Sequence, residues 1–274
     1  MDDTPYLFRG INLLQTESSV LISSSRYLNN PALREWMATE LLRRNGPDVP
    51  TPAGAYRLSF IIKEIQDFAA IDRLFEEERQ RFPDVDRFLR ERFVSTYTKE
   101  DLAGLPPQSV GGIYYRQLLD RNYQINIVPV YEAKGHYDYW LLRSGQVHDW
   151  EHIITHGGFD SLGEVTTGFA RLENIYKHFS PELAVELTAM QFLLSLRFLT
   201  RMGLHYPTVW HDMWGAADRG RRTGKASDCY VLRRYEDVLS LSPAEARKEL
   251  GVREVDDTAD TARASQVWDG KLSG

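Results

Sequence analysis

The residues of this chain that could do chemistry are concentrated in one run, His-Asp-Trp-Glu-His-Ile-Ile-Thr-His-Gly-Gly-Phe-Asp-Ser-Leu-Gly-Glu, from His148 to Glu164. His148 and His152 are four apart, so a helix carries both rings on one face, one turn above the other. Glu164 follows twelve residues after His152 and would come from the next element. Two imidazoles on one face plus a carboxylate from a neighbouring element are a common protein set for a divalent transition metal with one position left open. An open position separates a working metal from a structural one, so the pattern points to an enzyme.

Each neighbour of the histidines has a second reading. One step along a helix turns a side chain by about 100°. Direct coordination by Asp149 therefore needs a helix start or a distorted turn; otherwise Asp149 is the acceptor that orients His148. Glu164 completes the pattern Ser161-x-x-Glu164, a capping box in which the glutamate serves only a helix N-terminus. His156 stands one further turn along, as a third ligand, a general acid or base, a proton shuttle, or a helix-end histidine against the dipole. The candidate catalytic residues are thus His148, Asp149, His152 and His156, and the candidate ligands His148, Asp149, His152 and Glu164. Glu151 is expected to point away from them into solvent.

Two other enzyme classes share fragments of this pattern. A His-Glu-x-x-His zinc protease needs glutamate after the first histidine as its base, and Asp149 is one methylene shorter. His-Asp phosphohydrolases need a further upstream histidine and a distant aspartate, for which His136 and Asp212 are conceivable, although nothing in their spacing favours them. Tyr114, Tyr115, Trp140 and Trp150 read as core aromatics before they read as a ring-binding pocket. The basic group Arg219, Arg221, Arg222 and Lys225 reads as a solvated loop or a contact for lipid phosphates.

The elements that must position these residues are helical almost throughout, and the expected fold class is all-α. A helix is expected over 31–45, started by Pro31 and stopped by Asn45-Gly46-Pro47, then a proline-rich link from Pro47 to Pro52. A second should run from Tyr56 to Phe82, with Pro83 interrupting it before a short piece at 85–93. Another covers Gly111 to Leu119. Ile125, Ile127, Val128 and Val130 suggest a short strand, but Pro129 favours an extended loop. The helix of the histidines should begin near Gln146 and stop at Gly157-Gly158. The next starts at Ser161 or Leu162 and runs to His178. Ser180 and Pro181 open a long apolar helix to Met202, and Val209 to Thr223 forms another. The run from Leu183 to Met202 is interrupted by Glu186, Gln191, Arg197 and Arg201, which favours a buried helix over a membrane span. Ser242-Pro243-Ala244-Glu245 is a capping box opening a last helix closed by Gly251. This gives an N-terminal arm (1–30), one helical domain (31–252) with short extended or hairpin-like segments, and an acidic, partly ordered tail (253–274).

Composition bounds the function. Among 274 residues, 42% are hydrophobic and 26% charged, enough apolar material for a sizeable core. The net charge of −6 argues against a general nucleic-acid binder. The single cysteine, Cys229, rules out an intrachain disulfide and a multi-cysteine zinc site, and suits a reducing compartment. The acidic N-terminal start lacks the features of a signal or transit peptide, so the cytoplasm is expected.

At the motif the sequence resembles the ubiquinone (coenzyme Q) biosynthesis protein 4 family, which carries His-Asp-x-x-His, eleven residues, then Glu. The matching residues are His148, Asp149, His152 and Glu164, with Leu162-Gly163-Glu164-Val165 fitting as well. Upstream, Ser109-Val110-Gly111-Gly112-Ile113-Tyr114-Tyr115 is similar to the family's segment before a helix. Downstream, Gly220 to Gly251 is similar to its C-terminal pattern, and the resemblance covers about Pro31 to Val252. It implies a mostly helical protein binding a divalent metal, often zinc, with manganese or cobalt as alternatives; an oxidative step would suit iron better, since zinc cannot accept electrons. It implies action on a prenylated aromatic or quinone lipid, by removal of the carboxyl at ring carbon 1 with oxidative replacement. It also implies other quinone-biosynthesis proteins as partners, peripheral membrane contact on the inner face, and a homodimer. The alternative from a different class is a non-catalytic polyprenyl-lipid or quinone-binding scaffold.

Overall fold

The computed structural model describes residues 22–45, 51–125, 129–255 and 261–272. Among them every regular element is helical and no strand occurs. The expected all-α class is therefore what the chain forms. Ile127, Val128, most of the Pro47–Pro52 link and residues 1–21 lie outside the described residues. The part of the 124–135 stretch that is described is irregular and carries no strand.

The first half of the chain makes α1 (Arg26–Asn29), α2 (Pro31–Leu42), α3 (Thr51–Ile65), α4 (Phe68–Arg81), α5 (Pro83–Glu91), α6 (Lys99–Ala103) and α7 (Val110–Arg121). Asn30 caps α2 by accepting from Leu33 N at 3.1 Å. The single helix expected from Tyr56 to Phe82 is two. Asp67 leaves the helical region and accepts from Ala70 N at 3.0 Å, ending one helix and capping the next. α2 stops at Leu42, short of the Asn45-Gly46-Pro47 signal.

The second half contains α8 (His136–Ile154), α9 (Gly163–His178), α10 (Pro181–His205), α11 (Trp210–Ala226), α12 (Pro243–Leu250) and α13 (Thr261–Trp268). α8 starts ten residues before Gln146. Its first turn is fixed from α4, where Asp72 Oδ1 accepts from Tyr137 N at 2.8 Å. Burial then continues on several sides through Tyr137, Tyr139, Trp140, Leu142, Val147, Trp150 and Ile154. A helix buried this broadly has no polar face, so its sequence shows no stripe from which to read a start.

α8 runs through the main apolar core, between α4 and α5 on one side and the segment 229–252 on the other. A second cluster joins α9, α10, α11 and α13, and a third joins α2, α3 and α10. α10 is long and apolar enough to cross a membrane by length and composition. Here it packs in both of those clusters. Its buried Arg197 and Arg201 meet the buried Glu40 of α2 at 3.3 and 3.6 Å, which is how a core helix tolerates them. Val185, Phe192 and Leu204 remain exposed on its outer side.

The C-terminal segment carries more structure than its acidic composition suggests. Residues 256–260 lie outside the described set, but α13 buries Ala264, Val267 and Trp268 against α10 and α11. The expected basic loop at 219–225 is the last part of α11. There Arg219 is buried, and Arg221 and Arg222 pair with Asp218 at 3.0 and 2.8 Å.

Candidate metal centre

His148 and His152 lie in the second half of α8, and Glu164 in the first turn of α9. The two Nε2 atoms are 3.3 Å apart. Glu164 places Oε1 at 3.4 Å from His152 Nε2 and Oε2 at 3.6 Å from His148 Nε2. Donor atoms about 2.0–2.1 Å from a tetrahedral ion lie about 3.3–3.4 Å from one another; the two imidazoles meet that spacing, and the two carboxylate oxygens, one towards each ring, lie close to it. The donor chemistry also fits, since imidazole and carboxylate together suit zinc or iron. The fourth corner carries no donor from this cluster. The His152 side chain is 3% exposed, His148 23% and Glu164 46%, so the face opens towards solvent on the glutamate side.

His152 is oriented by its other nitrogen. Nδ1 lies 2.6 Å from the Gly158 carbonyl oxygen, which can only accept, so Nδ1 carries a proton and Nε2 is the nitrogen left to face Glu164 or a metal. Thr167 Oγ1 lies 3.3 Å from the same nitrogen, and the ring stacks on Phe159 with centroids 5.6 Å apart. Burial opposes a charged His152 ring, but the nearby Glu164 carboxylate, with Asp149 behind it, outweighs that and raises its pKa. Some desolvation where its oxygens face the rings opposes the Glu164 charge, and the two imidazoles more than compensate, holding its pKa well below the usual range. Glu164 is thus held as an anion between the two imidazoles.

The carbonyl reaches His152 because the chain folds back tightly after α8. Gly158 has φ +67°, a left-handed conformation that glycine adopts without strain. A Cβ on Gly157 would lie 2.1 Å from Thr167 Oγ1 and 2.7 Å from the Gly163 carbonyl oxygen. Gly157→Ala is therefore expected to push the loop from α9, removing the Gly158–His152 bond. The expected cost is about 2–3 kcal/mol in urea unfolding, from overpacking, with a parallel loss of metal affinity. A stability change within about 0.5 kcal/mol would show that the loop adapts.

The capping-box reading of Glu164 does not hold. Ser161 Oγ donates to Asp269 Oδ1 at 2.7 Å, and Asp160 Oδ1 accepts from Leu162 N and Gly163 N at 3.1 and 2.9 Å. Asp160 takes over the start of α9 and leaves Glu164 to the histidines. Asp149 is not one of the three clustered residues. Its Oδ2 accepts from Tyr114 Oη of α7 at 3.0 Å. It sits mid-helix, without the helix start or distorted turn that direct coordination requires.

His156 is not one turn further along α8, because the helix has ended. It has φ +58°, and its Nε2 lies 3.1 Å from Glu254 Oε1. Partial burial, with Arg247 nearby, lowers its pKa. Glu151, expected in solvent, is 1% exposed and ion-paired with Arg171 of α9. His136 is bound to Glu76 and is no part of the cluster. Tyr114, Trp140 and Trp150 are core residues. A cavity of about 540 Å³ lies elsewhere, lined by Phe88, Phe93, Tyr139, Arg143, Arg233 and Val238 among others, with none of the cluster residues on its wall.

Sequence reading missed Thr167, Asp160, Arg171 and the Gly158 carbonyl. One signal was present: Glu164, Thr167 and Arg171 share a face of α9 at i, i+3 and i+7. Thr167 Oγ1 also meets Thr155 Oγ1 at 3.1 Å, completing a polar seam between α8 and α9.

No protein-family model matches the sequence, and no curated protein matches it. Among solved structures, a chain from Nostoc punctiforme PCC 73102, provisionally described as a ubiquinone biosynthesis protein, shares the fold with a TM-score of 0.57 and 18% identity. The match covers 82% of this chain and 94% of that one. At that identity the likeness is one of fold.

Proposed function

We propose that this protein is a metal-dependent enzyme of ubiquinone biosynthesis that removes the carboxyl at ring carbon 1 of a prenylated aromatic precursor. The observation that carries the reading is the convergence of His148 Nε2, His152 Nε2 and the Glu164 carboxylate, with separations of 3.3, 3.4 and 3.6 Å and an open side towards solvent. The similarity of fold to a protein described as acting in ubiquinone biosynthesis supports the pathway. A bound zinc or iron would supply a Lewis acid that makes the anionic state left by departing carbon dioxide less costly.

The chain's own residues supply orientation and charge. Gly158 holds His152 in the tautomer that offers Nε2. Asp149, held by the Tyr114 hydroxyl, adds negative charge close to His152 without occupying a corner of the triangle. Loss of carbon dioxide alone leaves a ring C–H bond. Replacing the carboxyl by hydroxyl is a further two-electron oxidation and needs an oxidant, for which dioxygen is the candidate. Iron suits that version and zinc, which has no redox chemistry, suits the simple decarboxylation.

The test is release of labelled carbon dioxide from a carboxyl-labelled prenylated hydroxybenzoate by the purified, metal-loaded protein, with and without oxygen. Release that requires His148 and Glu164 supports the enzyme. Binding of the lipid with no release would favour the non-catalytic scaffold, the reading favoured by the exposed Val185, Phe192 and Leu204 on α10. That apolar side is also where peripheral membrane contact or a second copy would fit.

Metal affinity should depend on pH with a definite sign. The pKa of His152 is raised in the fold, so its proton stabilises the metal-free protein below the unfolded value and that contribution is lost as pH rises through the folded one. Metal binding must displace this proton. Below the folded pKa the Kd for zinc should weaken about tenfold per pH unit for each proton displaced. Calorimetry in buffers of different ionisation enthalpy measures the proton release; none between pH 5.5 and 6.5 would contradict His152 as a ligand.

A further inference from the structure

The loop Gly157–Gly163 carries the carbonyl that orients His152 and leads into Glu164. Its outer side is held by the C-terminal segment. Ser265 Oγ on α13 accepts from Leu162 N at 2.9 Å and donates to Asp160 Oδ1. Asp269, just past α13, accepts from Ser161 Oγ at 2.7 Å. At the other end of the loop, Glu254 meets His156 and is also paired with Arg247. Apolar packing follows the same route: Leu162 and Val165, on either side of Glu164, are buried in one cluster with Ala264, Val267 and Trp268.

We infer that α13 is a positioning element of the metal centre, with Ser265 as its main contact. Ser265 and Asp160 fix the loop, the loop fixes the Gly158 carbonyl, and that carbonyl selects the Nδ1-protonated tautomer of His152. The alternative neighbour of Nδ1 is the Thr167 hydroxyl at 3.3 Å, which can donate as well as accept. If the loop relaxes, nothing enforces the proton on Nδ1, and a ring protonated on Nε2 has no lone pair to offer a metal. The tautomer claim is independent of a metal; the consequence for affinity rests on the proposed metal reading.

Ser265→Ala removes both hydroxyl contacts, while Val267 and Trp268, buried to 1% and 0% exposure, keep α13 docked. Nitrogen-15 histidine spectra of the full chain without metal report the His152 tautomer, and zinc titration reports affinity. At a pH above the raised His152 pKa, where the ring is neutral, wild type should show one Nδ1–H tautomer. Ser265→Ala should show a mixture and bind zinc about 10-fold or more weakly, the range found when an outer partner of a ligating histidine is lost. Ser265→Thr, which keeps the hydroxyl, should restore both, and Gln266→Ala on the exposed side of α13 should change neither. An unchanged tautomer in Ser265→Ala would overturn the inference, as would a shift equalled by Gln266→Ala. A wild type with the single tautomer that binds no metal would sink the metal reading, while a mixture in Ser265→Ala alone would still support the positioning role of α13.

Discussion

His152→Ala is expected to purify without metal and to bind added zinc or iron(II) at least about a hundredfold more weakly than wild type. Three protein donors share the binding free energy. Structural zinc sites with four donors gain about 10–16 kcal/mol in total, so one donor is worth roughly 3 kcal/mol, a factor of about 100 in Kd. His152 is also the donor with the most support around it, from Gly158, Thr167 and Phe159. Its loss leaves the Gly158 carbonyl without its partner and opens space on the buried side of the site. Glu164→Gln keeps size and removes charge, and should weaken binding less. Equal affinity of His152→Ala and wild type, measured by competition against a chromogenic chelator, would place the metal elsewhere or nowhere.

Arg171→Ala should be the most damaging substitution for stability outside the cluster. Glu151 is buried on α8 and its carboxylate meets Arg171 of α9 through Nε at 2.9 Å and through Nη2, which also reaches the Ser144 carbonyl. Burial opposes the charged guanidinium, but Glu151 more than offsets this and raises its pKa. Removing the arginine leaves an uncompensated buried carboxylate, a change that costs about 3–5 kcal/mol. Urea denaturation measures it, and a loss under about 1 kcal/mol would show that the pair is not coupled as the contacts suggest. The double variant Glu151→Leu, Arg171→Met should recover most of the loss, because an apolar pair needs no compensation. The ion pair and the cluster of His148, His152 and Glu164 bridge the same two helices, so the single variant should loosen the proposed metal binding as well.

The triangle of His148, His152 and Glu164 was legible because its geometry is local. An i, i+4 pair on a helix and a carboxylate at the start of the next helix need only a tight connection to meet, and Gly157-Gly158 announced one. What separates Asp149 from Glu164 was not legible. It depends on Tyr114, thirty-five residues upstream in sequence, arriving from α7 to hold the aspartate. The all-α class followed from periodicity and caps, yet the start of α8 did not, because broad burial erases the stripe that marks an amphipathic helix. The break between α3 and α4 rests on one capping aspartate, Asp67, inside an otherwise continuous pattern. Glu151 points away from the histidines, as its spacing predicts, but α9 and Arg171 lie on that side in place of solvent. The C-terminal helix was hidden by acidic composition; its anchors, Ala264, Val267 and Trp268, are three residues in a short stretch.

Metal content of the wild-type chain by plasma mass spectrometry, purified without chelator and again after reconstitution and desalting, tests the central claim most directly. The expected result is about one zinc or iron per chain, the stoichiometry of a single site with three protein donors. Iron would favour the oxidative version of the reaction and zinc the Lewis-acid version. Protein that carries no metal from the cell and retains none after reconstitution would contradict the metal centre and leave lipid binding as the function to pursue.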